Sequence, residues 1–203
     1  NIWFGFPLKG LFVLEKSSGR TTNYINNPND ATSLAHNTVN HIFKDRNDIM
    51  WLSTYKGVSK FDGAEQPFQY TRPYLNRSAT EESPPIKSFY EDRLGNIWLG
   101  TEAGLLYYAK DSSSYIEIPV KGLQENNLVI NAITSLSNGN LLLGTGIGLY
   151  QFDILTHKTQ PFLWTDCEEC NEKTRGSVGK FLKDTINGLP HLWIGSQKSG
   201  LFL

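Results

Sequence analysis

At 203 residues, 39% of them hydrophobic and 12% aromatic, the chain is long enough and apolar enough for one folded domain with a packed core. Its 19 basic and 20 acidic residues leave a formal net charge of -1, which removes the electrostatic case for nucleic acid or an anionic membrane as partner. No apolar run approaches the roughly 20 residues of a membrane-spanning helix and no signal peptide opens the chain, so this segment is expected to make no membrane contact.

Asn1 falls in the middle of a repeat, which points to a processed or excised piece. The first predicted strand, Ile2-Trp3-Phe4-Gly5, turns through Phe6 to Lys9 into Gly10 to Leu14, with a further strand around Thr21 to Ile25. Asn26 to Asn37 is rich in Asn, Pro, Asp, Thr and Ser, the composition of a loop whose side chains satisfy its own backbone. Next come Val39 to Phe43, a turn at Arg46-Asn47-Asp48, Ile49 to Thr54, a turn closed by Gly57, Val58 to Phe61, and Phe68 to Thr71. Four short strands in series form one antiparallel meander. After a polar loop from Arg72 to Pro85, the pattern returns as Ile86 to Tyr90, Ile97 to Gly100, Leu105 to Tyr108 and Tyr115 to Ile118. It returns again from Ile130 to Phe162, where Asn138-Gly139 is expected to make a two-residue hairpin turn with positive φ at both positions. A last copy shows Val178 to Leu182, His191 to Gly195 and Leu201 to Leu203.

These copies share a core, Trp3-Phe4-Gly5, Trp51-Leu52-Ser53, Trp98-Leu99-Gly100, Leu142-Leu143-Gly144 and Trp193-Ile194-Gly195, each followed by a glycine at Gly10, Gly57, Gly104, Gly148 or Gly200. The steps between copies, read from positions 3, 51, 98, 142 and 193, are 48, 47, 44 and 51 residues. A period of ~40 to 50 residues holding four strands, without amphipathic helical periodicity, predicts an all-β chain of propeller blades. The expected repeats are 1–30, 31–80, 81–125, 126–172 and 173–203, within a single propeller segment of about four to five blades. The first should lack its inner strand and the last its outer one, so the segment reads as part of a larger propeller. An open end would leave an apolar face uncovered, which favours association, including homodimer formation. Trp3, Trp51, Trp98, Leu142 and Trp193 are the expected core anchors between blades. The glycine before each third strand suits a turn with positive φ, and the glycine two after each tryptophan suits close approach of a neighbouring backbone.

The stretch Glu91-Asp92-Arg93-Leu94-Gly95-Asn96-Ile97-Trp98-Leu99-Gly100-Thr101-Glu102-Ala103-Gly104-Leu105 resembles the two-component regulator propeller repeat, and all five copies fit. The likeness is weakest in the fourth, where Leu142 stands for Trp and Ser137-Asn138-Gly139 for the Asp-led turn. What the resemblance implies is the periplasmic sensor region of a hybrid two-component protein of a glycan-degrading bacterium. There two seven-bladed propellers precede a β-sandwich, a membrane helix, a histidine kinase and a DNA-binding regulator. The implied ligand is an oligosaccharide, and the implied partners are the remaining blades and sensor domains of the parent chain. Asp92 to Trp98 also resembles the Asp-box turn of sialidases, a structural turn in those enzymes. No arginine cluster with a tyrosine nucleophile can be picked out from Arg20, Arg46, Arg72, Arg77, Arg93 and Arg175.

Cys167-Glu168-Glu169-Cys170 supplies two thiolates where a structural zinc site wants four ligands, and it has neither helix nor parallel sheet around it to suit a thioredoxin-like motif. A local disulfide in an oxidising compartment and two free thiols in a reducing one remain the main alternatives, with a metal the third. His36, His41, His157 and His191 have no short metal spacing, and no cofactor or metal is expected. Asp45, Asp92 and Asp184 are read as equivalent turn carboxylates that accept backbone amides two residues on. A catalytic residue would be unique to one blade, and none is assigned.

Propeller geometry puts the loops between second and third strands on one face with the long loops between blades. That face is expected to collect Tyr55, Lys56, Glu102, Gln197 and Lys198, with His36, Asn37 and Trp164, a mixture better suited to a neutral sugar than to a nucleotide. The leading expectation is therefore a non-enzymatic sensor segment. The alternatives are a scaffold or protein-interaction propeller and, third, a carbohydrate-active enzyme.

Overall fold

In a computed structural model, residues 1–63, 68–71, 84–112, 115–124 and 128–203 are described, and most of the expected loop from Arg72 to Pro85, with Arg72 and Arg77, lies outside them. The chain forms two compact units, residues 1–87 with Tyr115, and residues 88–112 with 116–203. It is an all-β propeller segment of five antiparallel sheets, two in the first unit and three in the second.

The first unit opens with a three-stranded sheet of β1 (Ile2–Phe6), β2 (Gly10–Leu14) and β3 (Thr21–Tyr24). A four-stranded sheet follows, β4 (Val39–Lys44), β5 (Met50–Thr54), β6 (Gly57–Phe61) and β7 (Gln69–Thr71). Its core is Leu11, Val13, Leu34, Val39, Leu52 and Phe68, all buried, with Trp3, Tyr24, Ile42 and Phe61 packed against them. Trp3 meets Phe61 of the next sheet edge-on at a centroid distance of 5.1 Å.

The second unit carries β8 (Ile86–Glu91), β9 (Ile97–Thr101), β10 (Gly104–Tyr108) and β11 (Tyr115–Ile118) as one sheet, its first residues and Tyr115 being shared with the first unit. Next are β12 (Ile130–Ser135), β13 (Leu141–Thr145), β14 (Gly148–Phe152) and β15 (Thr159–Pro161). A short helix α1 (Glu168–Lys173) leads to a three-stranded sheet of β16 (Val178–Ile186), β17 (Leu189–Ser196) and β18 (Gly200–Phe202). The first and last sheets thus have three strands, the first lacking an inner strand and the last an outer one.

Successive sheets within a unit lock at the glycine of the repeat. A Cβ at Gly5 would lie 2.8 Å from the Val39 carbonyl oxygen, one at Gly100 2.5 Å from that of Ile130, and one at Gly144 3.0 Å from that of Val178. Each of those carbonyls belongs to the inner strand of the next sheet, and a β-bulge follows directly after it, between Val39 and His41, Ile130 and Ala132, and Val178 and Lys180. The bulge bends the inner strand where it crosses the glycine. Ser53, which takes the glycine's place in the second sheet, is fully buried.

The anchors differ in burial. Trp51 is 2% exposed, Trp98 7% and Leu142 1%, whereas Trp3 and Trp193 are half-buried. Trp98 packs on Tyr107 at 4.8 Å and reaches Phe152 of the following sheet at 6.2 Å. Its indole Nε1 donates to Asp92 Oδ2 at 3.3 Å, and Trp51 Nε1 donates to Asp45 Oδ2 at 2.8 Å. The same carboxylates hold the first hairpin, accepting the amides of Asn47 and Ile49 on Asp45, and of Leu94 and Asn96 on Asp92. One aspartate thereby ties turn to core anchor. In the fourth copy both members change together, and Leu136 packs in the cluster of Leu142 in place of the polar pair.

Three expectations are corrected. The Asn138-Gly139 turn is not a two-residue turn, because only Gly139 has positive φ, 88°. Leu136 N donates to Asn140 O at 2.8 Å and Gly139 N to Leu136 O at 3.2 Å, a five-residue turn like those opened by Asp45 and Asp92. Asn138 Oδ1 accepts the Asn140 amide, which holds Asn138 out of the left-handed region. The two-residue turn is instead Asn187-Gly188, with φ of 53° and 79°, between β16 and β17. Asp184 accordingly is no turn carboxylate: it lies inside β16 opposite His191, and its Oδ1 accepts the amide of the adjacent Thr185. Finally, the Cys167 to Cys170 stretch does carry a helix, α1, too short for sequence periodicity to reveal.

Candidate ligand-binding cluster

The turn between second and third strands is built the same way three times. Thr54, Thr101 and Thr145 close their strands fully buried, and each hydroxyl donates at 2.9 Å to the carbonyl of the glycine that opens the next strand, Gly57, Gly104 or Gly148. Each Oγ1 also accepts the amide of the residue before that glycine, Lys56, Ala103 or Ile147. The threonine fixes the turn, and the two residues between it and the glycine are pushed outward. Tyr55 is 52% exposed for this reason.

In the first unit a second element meets that turn. The loop 26–38 is held by its own side chains, with Asn26 N donating to Asn37 Oδ1 at 2.6 Å, Gly10 N to Asn37 O at 2.7 Å and Ala35 N to Ser59 Oγ at 3.0 Å. So pinned, it sets the His36 ring 5.6 Å from that of Tyr55, tilted by 51°. Thr38 N donates to His36 Nδ1 at 3.0 Å, which requires an unprotonated Nδ1 and puts the ring proton on Nε2. Burial, and then the Lys56 ammonium nearby, push the His36 pKa below its ordinary value. Tyr70 donates its hydroxyl to the Lys56 carbonyl at 2.6 Å and props the turn from the other side. Two aromatic faces, an Nε2–H donor and an ammonium make a surface able to stack on a sugar ring and hydrogen-bond its hydroxyls.

Of the sequence-selected residues, His36, Tyr55 and Lys56 are therefore brought together. Asn37 lies beside them but spends its side-chain oxygen on Asn26. In the second unit Glu102 is exposed on its turn, and Gln197 N donates to Ser177 O while the Lys198 stem lies along Gly176. Trp164 is half-buried, edge-on to Phe162 at 5.1 Å and packed on the cluster of Leu142, Leu149, Val178 and Ile194, so it serves that core rather than an open face. Cys167 and Cys170 are joined in a disulfide, with Cys167 capping α1 through its Sγ. No group of three or more metal-ligating side chains occurs among the described residues. The Asp–Trp pairs escaped the sequence reading, although their signal was present: six residues separate Asp45 from Trp51 and Asp92 from Trp98, and both types vanish together at Leu136 and Leu142.

Comparison with solved structures gives the fold. The extracellular domain of BT4673 from B. thetaiotaomicron, named as a one component system, matches with a TM-score of 0.75 at 22% identity, and that of BT3049, named as a hybrid two component system of the same organism, with 0.72 at 21%. Each match covers 98% of this chain and 25% of the other, so the chain spans about a quarter of those structures. A structure named as a gluconolactonase matches at 11% identity with a TM-score of 0.57, over 92% of this chain and 64% of the other. No curated protein sequence matches. No helix among the described residues is long and apolar enough to cross a membrane. Residues 33–56 and 80–103 match the family described as the two component regulator propeller, so two of the five copies are repeats of that kind.

Proposed function

We propose that the chain is part of the extracytoplasmic, periplasmic sensor region of a hybrid two-component protein, that it is not an enzyme, and that it responds to a glycan-derived oligosaccharide whose binding is passed to a histidine kinase. The observation that carries this reading is the coincidence of family match and cluster: the matched stretch 33–56 contains His36, Tyr55 and Lys56. Structural neighbours that are extracellular domains of such systems support it. Isothermal titration of the whole extracytoplasmic region with a panel of neutral oligosaccharides tests it. Heat from at least one member, lost in Tyr55→Ala, is expected; heat from none would favour a scaffold propeller. The gluconolactonase likeness, at 11% identity, keeps one rival measurable, since turnover of a lactone or glycan by the chain would replace the sensor reading with an enzymatic one.

A further inference from the structure

The β16–β17 hairpin is longer than the other first hairpins, nine and eight residues against five or six, and it runs past the end of β12. Lys183, the last residue before the extended part and the counterpart of Ser135 in β12, reaches across to the neighbouring sheet, its Nζ 2.9 Å from Ser135 Oγ and 3.3 Å from Ser135 O. No carboxylate is paired with that ammonium among the described residues, Asp184 being the next residue of the same strand, where side chains alternate between faces, with its Oδ1 accepting the Thr185 amide. Partial burial, and then the Arg93 guanidinium nearby, hold the Lys183 pKa below the ordinary lysine value. Lys183 and Arg93 thus both lie near Ser135, each lining a cleft that Ser135 shares.

Space is open beside them. A cleft of about 590 Å³ is lined by Ser135, Lys183, Asp184, Thr185, Pro190, His191 and Leu192. A smaller one of about 180 Å³ shares Ser135 and is lined by Arg93 and Trp98. The larger volume falls within the range of small-molecule sites. Its walls combine the Lys183 ammonium and the Ser135 hydroxyl with the Asp184 carboxylate, Thr185 and His191, and with the apolar surface of Pro190 and Leu192. His191 Nδ1 lies 2.9 Å from Leu189 O and donates to it, leaving Nε2 as an acceptor for a hydroxyl.

We propose that this cleft is a binding site for an anionic, hydroxylated small molecule of the sugar-acid class, its carboxylate held by Lys183 and Ser135. The site belongs to the first-hairpin ends of the last two sheets, and it does not depend on the reading of the His36 cluster. A surface lysine that merely bridges two sheets would give the same hydrogen bonds and no ligand, so the test is binding itself.

The test is titration of the chain with sodium glucuronate, glucose and sodium sulfate, followed by calorimetry and by amide chemical shifts. Glucuronate is expected to bind, to shift Ser135, Thr185 and His191 amides, to weaken as salt is added, and to lose about tenfold or more in affinity in Lys183→Met. Lys183→Arg, which keeps the charge, should retain most of the affinity and guards against misfolding of the methionine variant. The proposal is overturned if glucuronate gives no saturable response up to about 10 mM, if Lys183→Met binds as the parent does, or if glucose shifts the Ser135, Thr185 and His191 amides with equal affinity. Equal affinity for bare sulfate would overturn the assignment of the hydroxylated body.

Discussion

The fourth and fifth sheets share a unit and a repeat, yet they meet different surroundings. At Gly144 the backbone of Val178 comes so close that a Cβ would sit 3.0 Å from its carbonyl oxygen; at Gly195, the equivalent position, the nearest atom is Lys180 O of its own sheet at 3.7 Å. The same difference runs through the anchors, with Leu142 1% exposed and Trp193 half-buried. A glycine and a large apolar residue at these positions are therefore not demanded by the sheet that contains them. They are demanded by the inner strand of a following sheet, which the fourth has in β16 and the fifth does not have among the described residues.

Substitutions at matched positions sharpen or break this account, read as urea or thermal midpoints. Trp98→Ala removes a buried indole between two sheets and is expected to cost about 3 to 5 kcal/mol, whereas Trp193→Ala should cost distinctly less; equal losses would mean the tryptophan serves its own sheet. Gly100→Val drives a branched side chain into Ile130 and should destabilise by about 1 to 3 kcal/mol or more, with Gly144→Val somewhat milder and Gly195→Val within about 0.5 kcal/mol of the parent. A large effect at Gly195 would show that the residue is needed locally. Asp92→Ala loses both turn and indole hydrogen bonds and is expected to cost about 1 to 2 kcal/mol, while Asp184→Ala, in the middle of β16, should be near neutral.

The smallest effect lies in the first unit. Because the pKa of His36 is lowered in the folded chain, the unfolded chain binds the proton more tightly. Stability from this group is then fully present above its ordinary pKa of 6.5 and is lost as pH falls through the lowered folded value. Protonation would also remove the acceptor used by Thr38 N. The stability of His36→Gln should show a flatter pH dependence over that window, and an NMR titration placing the His36 midpoint at or above 6.5 would contradict the burial described.

Sequence patterning was informative where one residue type answers one physical demand. Tryptophan and glycine two apart, with Ser53 for the glycine in the second copy and Leu142 for the tryptophan in the fourth, and a second glycine before the next strand, located the second and third strands of every copy, because core anchor, close approach and positive φ each admit few residues. It failed where identical letters serve two geometries. Asn138-Gly139 and Asn187-Gly188 are the same dipeptide, but the first is embedded in a five-residue turn by Leu136 and Asn140 and only the second turns alone. Asp184 was misread for the same reason, since it was counted from the turn it does not reach. In the site, loop position correctly grouped His36 with Tyr55 and Lys56, because turn topology fixes which loops share a face. It misplaced Trp164, whose neighbours Phe162 and Asn171 draw it inward. Ser135 and Lys183 hold equivalent places in neighbouring sheets, but the other walls of their cleft, Asp184, Thr185, Pro190 and His191, exist only because the β16–β17 hairpin is long, and strand length was the least legible quantity in the chain.

The Asn187-Gly188 turn also bears on the order of events in folding. It joins two strands over two residues with the turn chemistry best matched to strand twist, so β16 and β17 can pair through local contacts alone. Hairpins of this kind form in about 1 to 10 μs, before the slower search that brings separate sheets together. Pulse-labelled hydrogen exchange should find the amides of Phe181 to Trp193 protected ahead of those in β1 and β2.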